Sequence, residues 1–247
     1  MRKKIFVKGP VLSQSGYGHQ ARTALKALKS REDIFDIYVE NINWGKTGWI
    51  WEDNEFRNWI DDKIKKTVAY SAERDGPFDI SLQITIPNEW VRMAQVNIGF
   101  TAGIETTKVS PDWVAKGTEM DKIIVVSSHS KNTYKDTVVT AQSPDGAKFD
   151  YKIQTPVECV NYPIIECVPQ GIKGFKPETD FNFLCVSQWG PRKNFENTIK
   201  WWVEEFNNEN VGLIIKANYL NNCLLDYNHT RNAIFLSLIH ISEPTRQ

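Results

Sequence analysis

Two short stretches carry residue types whose spacing suits the binding of a diphosphate. In "VLSQSGYGHQARTALKAL", residues 11–28, an apolar segment passes through Gly16-Tyr17-Gly18 into a helix. Glycines at a helix start let backbone N–H groups approach an anion, and the helix dipole favours negative charge there. In "VSQWGPRKNFENTI", residues 186–199, Arg192 and Lys193 stand between a strand and a helix. Ligands of α/β domains collect at such junctions, and the pair offers a lysine point charge beside an arginine fork.

Other readings of the same residues stay open at this level. Gly16-x-Gly18-x-x-Ala21 formally fits the dinucleotide fingerprint, and Glu40 ends the next strand where a ribose-binding acid belongs. A nicotinamide or flavin oxidoreductase would need the strand to run straight into Gly16, yet Pro10–Ser15 intervene. The glycines could also serve only a tight turn with positive φ, and Arg192 and Lys193 could be a solvated basic pair. Glu105 follows "FTAGI" and His129 follows "VVSS", each at the C-terminal end of an expected parallel strand. Their plain alternatives are a carboxylate making local hydrogen bonds and a solvated loop histidine. Trp113 reads as a packing residue rather than a sugar platform.

The elements that must position these residues alternate. Ile5-Phe6-Val7 is a strand, and Ala21, Ala24, Leu25 and Leu28 recur at helical spacing. Residues 34–40 form a second strand, and Phe56, Trp59, Ile60, Ile64 and Val68 mark a second amphipathic helix. "FDISLQITI", "VNIGFT" and "KIIVVSS" read as further strands of buried parallel type, with Pro111 in the first turn of a helix between the last two. Residues 137–165 suggest an antiparallel hairpin or an edge addition. "VPQGIKGFKPETD", 168–180, has the Pro and Gly content of a linker. "FNFLCVS", "NFENTIKWWVEEF" and "VGLIIKA" then begin a second strand–helix–strand unit, with 68 residues from position 180 onward. This pattern predicts a doubly wound α/β fold whose second sheet leaves an apolar face exposed. "LSLIHISEPTRQ", 236–247, resembles the translation of a transposon-end sequencing adapter and is set aside as a non-native tail.

Composition bounds the function. Lys+Arg and Asp+Glu are both 30 in 247 residues, and this neutral balance argues against a nucleic-acid binder. The basic "MRKK" start is followed by an apolar stretch too short and broken for a signal peptide. No apolar run is long enough to span a membrane. Cys159, Cys167, Cys185 and Cys223 form no C-x-x-C pair, so buried free thiols are expected and a metal site is not. The nine tryptophans are more often core and domain-contact residues, although carbohydrate-handling proteins use them as stacking surfaces.

Four features in order resemble the family 4 glycosyltransferases of GT-B fold. These are "SQSGYGHQARTALKAL", "NIGFTAGIETTKVSPDWV" followed by "MDKIIVVSSHSKNTY", the linker-like "VPQGIKGFKP", and "FLCVSQWGPRKNFENTI". The likeness spans roughly residues 4–220. It implies an α/β, GT-B-like chain: a Rossmann-like acceptor-side domain (1–167), a linker (168–180), and the start of a second Rossmann-like, nucleotide-sugar-binding domain (181–235). It implies sugar transfer from a nucleotide-diphosphate sugar to a glycan or lipid-linked acceptor, with retention, no metal and no cofactor. Cytoplasmic location and at most peripheral membrane contact follow from the same resemblance. Lys193 matches the family's phosphate-binding Lys. Gln188 stands where its Arg is usual, so Arg192 takes that role from the neighbouring position. Gly16 and Gly18 match the loop closing on the diphosphate, and Glu105 and His129 are candidate catalytic residues. The family's paired donor-side glutamates find no match in 217–247, so this chain is expected to be inactive as a piece. A non-catalytic glycan- or nucleotide-binding module is the alternative of a different class.

Overall fold

The computed structural model describes residues 2–73, 76–164, 166–220 and 223–242, the last six of these as backbone only. The chain divides into two compact units: Met1–Gly45 with Trp49–Ile164, and Lys46–Gly48 with Ile165–Gln247.

The first unit alternates strands and helices: β1 (Lys3–Gly9), α1 (Gly16–Lys29), β2 (Phe35–Asn41), α2 (Glu55–Glu73), β3 (Phe78–Ile84), β4 (Ala94–Phe100), α3 (Pro111–Thr118), β5 (Lys122–Val125) and α4 (Ser128–Asp136). A hairpin of β6 (Val139–Gln142) and β7 (Lys148–Tyr151) follows, then β8 (Val157–Cys159). Six strands form one parallel sheet in the order β2-β1-β3-β4-β5-β8. The sequence expected either a hairpin or an edge addition over 137–165; both are present, since β6 and β7 pair antiparallel and β8 joins the sheet edge. The architecture is α/β and Rossmann-like.

Burial explains the strand sequences. Ile5, Val7, Ile37, Val39, Leu82 and Ile84 share one buried cluster with Leu25 of α1 and Ile60 of α2. Phe6, Tyr38 and Tyr70 form a second cluster, where the Phe6 and Phe78 rings stack at 4.7 Å. The strand order reverses between β1 and β3, so ligand-binding crevices are expected beyond their carboxyl ends, Gly9 and Ile84. The backbone N–H of Val39, on edge strand β2, donates to Thr67 Oγ1 of α2 at 2.7 Å. Further along the sheet Trp90 is fully buried against Gly99, where an added Cβ would stand 2.6 Å from the indole ring.

The second unit contains β9 (Phe181–Gln188), α5 (Phe195–Phe206), β10 (Val211–Asn218) and α6 (Leu224–Ser242). β9 and β10 pair in parallel from Phe181↔Val211 to Gln188↔Asn218. Cys185, Ile215 and Ala217 pack with Phe195, Ile199 and Val203 of α5 and with Ala233 and Ile234 of α6. Leu184 and Val186, which alternate to the other face of β9, are 67% and 62% exposed. The apolar sheet face expected from the sequence is therefore open among the described residues. The stretch 168–180 carries no helix or strand. α6 runs on through 236–242 of the adapter-like tail, and residues 243–247 lie outside the described residues.

Two expectations are corrected. Val68 fits the apolar stripe of α2 by spacing, yet it is 66% exposed, because α2 turns that side chain into an open groove rather than onto the sheet. None of the four cysteines is buried. Cys159 lies in the edge strand β8 and Cys185 in β9, both half-buried, while Cys167 and Cys223 sit outside regular structure and are exposed. Among the described residues no helix is long and apolar enough to cross a membrane.

Candidate functional site

The first candidate is the junction of β1 and α1. β1 ends at Gly9 and α1 begins at Gly16, so Pro10–Ser15 separate them. The strand does not run into Gly16, and the dinucleotide fingerprint geometry is not formed. The intervening loop is bonded from every side. Leu12 N donates to Asn41 Oδ1 at 2.9 Å, and Leu12 O accepts from Ile50 N at 2.8 Å. Arg22 Nη1 donates to the carbonyls of Val11 and Ser13 at 3.0 and 2.8 Å. Burial pulls the Arg22 pKa down, against the pull of nearby Glu52.

This loop dictates Gly18. A Cβ there would lie 2.1 Å from Ser13 O and 3.0 Å from Pro10 O. Neither Gly16 nor Gly18 has positive φ, which overturns a turn glycine of that kind; Gly18 is needed for close backbone approach. Gly16 is exposed, with open space where a side chain would project. Ser15 caps α1, its Oγ accepting from Gly18 N at 3.0 Å. The N–H groups of Gly16 and Tyr17 make no hydrogen bond among the described residues, so the first turn keeps two donors for an anion.

A polar network holds α1 against the carboxyl end of β4. Tyr17 OH shares a hydrogen bond with Thr101 Oγ1 at 2.9 Å and accepts from Ala102 N at 3.2 Å. Buried Gln20 donates to Thr101 O at 3.3 Å and accepts from Tyr162 OH at 3.3 Å. Burial pushes the Tyr17 phenol up, so it stays neutral. Sequence reasoning missed this network. Its only local signal is the Tyr17–Gln20 spacing on one face of α1, whereas Thr101 and Tyr162 are distant in sequence.

Glu105 is exposed on the loop after β4, beside a cavity of about 320 Å³ that Trp113 also lines. His129 is not on a loop. It lies in the first turn of α4, which Ser127 caps by accepting from Ser130 N. His129 Nε2 stands 3.1 Å from Thr106 O, so that nitrogen carries the proton, since a carbonyl can only accept. The structure thus ties His129 to the peptide next to Glu105. Trp113 packs on a further buried cluster that includes Val114, Ile123 and Tyr134, and gives its carbonyl to Tyr134 OH at 2.8 Å.

The second candidate is the junction of β9 and α5. A 3-10 turn, Pro191–Lys193, follows β9, and Asn194 takes the left-handed conformation at φ 49°. Asn194 does not cap α5; its Oδ1 accepts from Asn197 Nδ2 at 2.7 Å instead. The helix N-terminus is left without a side-chain cap, directly after exposed Arg192 and Lys193. Lys193 makes no ion pair among the described residues. A cavity of about 400 Å³ opens here, floored by Trp189, which stacks on Tyr219 at 5.1 Å, and bordered by Glu196. Gln188 donates from Nε2 to Tyr219 O at 3.0 Å, tying the two strand ends together. The structure therefore brings Gln188, Arg192 and Lys193 to one strand end, and Gly16 and Gly18 to another. No protein-family model and no curated protein sequence matches the chain, so the functional reading rests on this geometry and on the sequence motifs.

Proposed function

We propose that this chain belongs to a metal-independent, retaining glycosyltransferase of GT-B type, acting in the cytoplasm. It moves a sugar from a nucleotide-diphosphate sugar to a glycan or lipid-linked acceptor. The observation that carries this reading is the β9–α5 junction. Two cations stand immediately before an uncapped helix N-terminus at the carboxyl end of a parallel strand. Such an arrangement stabilises a diphosphate by fixed positive ends and point charges rather than by a metal. Within the first unit, taken by itself, the first turn of α1 is a helix end with open donors of the same kind. Lys193 and Arg192 hold the diphosphate, Gln188 fixes the strand ends beside it, and Glu105 and His129 are the candidate reacting groups.

Binding is the direct test, because the donor-side glutamate pair that the resemblance implies has no match in 217–247. Calorimetric titration of the full chain with UDP, GDP, ADP and inorganic pyrophosphate, in the presence of a chelator, should give saturable binding of at least one nucleoside diphosphate. Lys193→Ala should weaken it by about tenfold or more, the loss of one charge-assisted contact. No saturation by any diphosphate at millimolar concentration would overturn the reading.

A further inference from the structure

The cavity of about 400 Å³ beside the β9–α5 junction is lined differently from the two cations in front of it. We infer that it takes the nucleobase of the donor and that this base is guanine. The inference rests on the transferase reading and names the nucleotide of that donor. The volume falls within the range of small-ligand sites. Trp189 and Tyr219 give the cavity an aromatic floor suited to a flat ring.

Charge divides the ligand. Glu196 is the one charged residue of the lining, and it makes no ion pair among the described residues. Arg192 and Lys193 stand outside the lining, in the turn just before α5. A carboxylate repels phosphate, so the phosphates belong with the cations and the uncharged end of the nucleotide belongs inside.

Hydrogen bonding then selects the base. Glu196 offers two carboxylate oxygens. Asn197 Nδ2 donates to Asn194 Oδ1 at 2.7 Å, which leaves Asn197 Oδ1 to accept. An acceptor-rich lining favours a base with donors side by side. Guanine presents its N1–H next to its N2 amino group, a match for the two oxygens of one carboxylate. Adenine and cytosine present one amino group, and uracil one ring N–H. Burial, and after it the Glu196 charge, push the Tyr219 phenol up, so it keeps its proton and can donate to guanine O6. A carboxylate in the first turn also stabilises α5 by itself, so a decisive test has to read base identity.

That test is calorimetric titration of the full chain, with chelator present, against GDP, inosine diphosphate, ADP, UDP and pyrophosphate. GDP should bind tightest. Inosine diphosphate, which lacks only the N2 amino group, should bind about tenfold more weakly, the loss of one hydrogen bond to a charged acceptor. Glu196→Gln should weaken GDP by about tenfold and close the gap between GDP and inosine diphosphate. ADP, UDP and pyrophosphate should bind this variant as well as the parent or better, because a repelling charge is gone. A role confined to the helix end would change all five ligands alike. UDP or ADP binding as tightly as GDP, or a GDP preference that survives Glu196→Gln, would overturn the guanine assignment and leave the transferase reading standing. Absence of binding by every nucleoside diphosphate would overturn that reading, and the assignment with it.

Discussion

The two strand–turn–helix junctions of this chain solve one problem differently. After β1, the loop folds back so far that its own carbonyl occupies the place of a side chain at Gly18, and Ser15 caps the helix. After β9, a connection of equal length passes through a 3-10 turn, Asn194 takes a left-handed conformation, and no side chain caps α5. The first junction is built mainly for rigidity and keeps only two donors open. The second leaves its helix end uncapped and Lys193 without an ion pair among the described residues. A glycine-rich turn is thus not by itself the more ligand-directed of the two.

The largest effect should separate the glycines. Gly18→Ala should destabilise the first unit by about 3 kcal/mol, since the loop must move to admit a methyl. Gly190→Ala, where φ is −166° and space is open, should stay within about 0.5 kcal/mol. Urea unfolding measures both, and equal costs would break the comparison. Next, Ser15→Ala should cost about 1 kcal/mol through the lost cap. At the second junction Asn194→Ala should cost about 1 kcal/mol for placing an ordinary residue in the left-handed region, while Asn194→Gly should change stability by less than about 0.5 kcal/mol. A comparable loss in both Asn194 variants would mean that the side chain, not the backbone, matters there.

The smallest effect concerns pH. Burial raises the folded pKa of Tyr17 above its unfolded value. Its stabilisation is fully present below the unfolded value, about 10, and is lost as pH rises towards the folded one. Tyr17→Phe should remove that share of the alkaline slope in Tm, along with the bonds to Thr101 and Ala102.

Much of this was legible in the sequence. Apolar runs such as Ile5–Val7 and Ile123–Val125 marked buried parallel strands, and Pro111 marked a helix start, because those signals are local. The break between Gly9 and Gly16 was readable too, and it weighed against a dinucleotide loop. Gly18 could not be explained from sequence, since its clash partner, Ser13 O, arrives only when the loop folds back. Val68 matched the helical period but not the burial, because α2 turns it into an open groove while Ile60 and Ile64 take the sheet. His129 reads as a loop residue in the sequence although Ser127, two residues before it, is a helix N-cap type. The Tyr17–Gln20–Thr101–Tyr162 network joins three separate elements and has no sequence signature.

Gly99 and Trp90 carry a consequence for descent. Any side chain at 99 collides with the indole, and a smaller residue at 90 leaves a void beside a bare glycine. Each single change is harmful, so the positions are bound to drift as a pair. A related chain bearing alanine or serine at 99 should carry a shorter side chain at 90, and that paired exchange would mark true kinship more reliably than either glycine of the first turn.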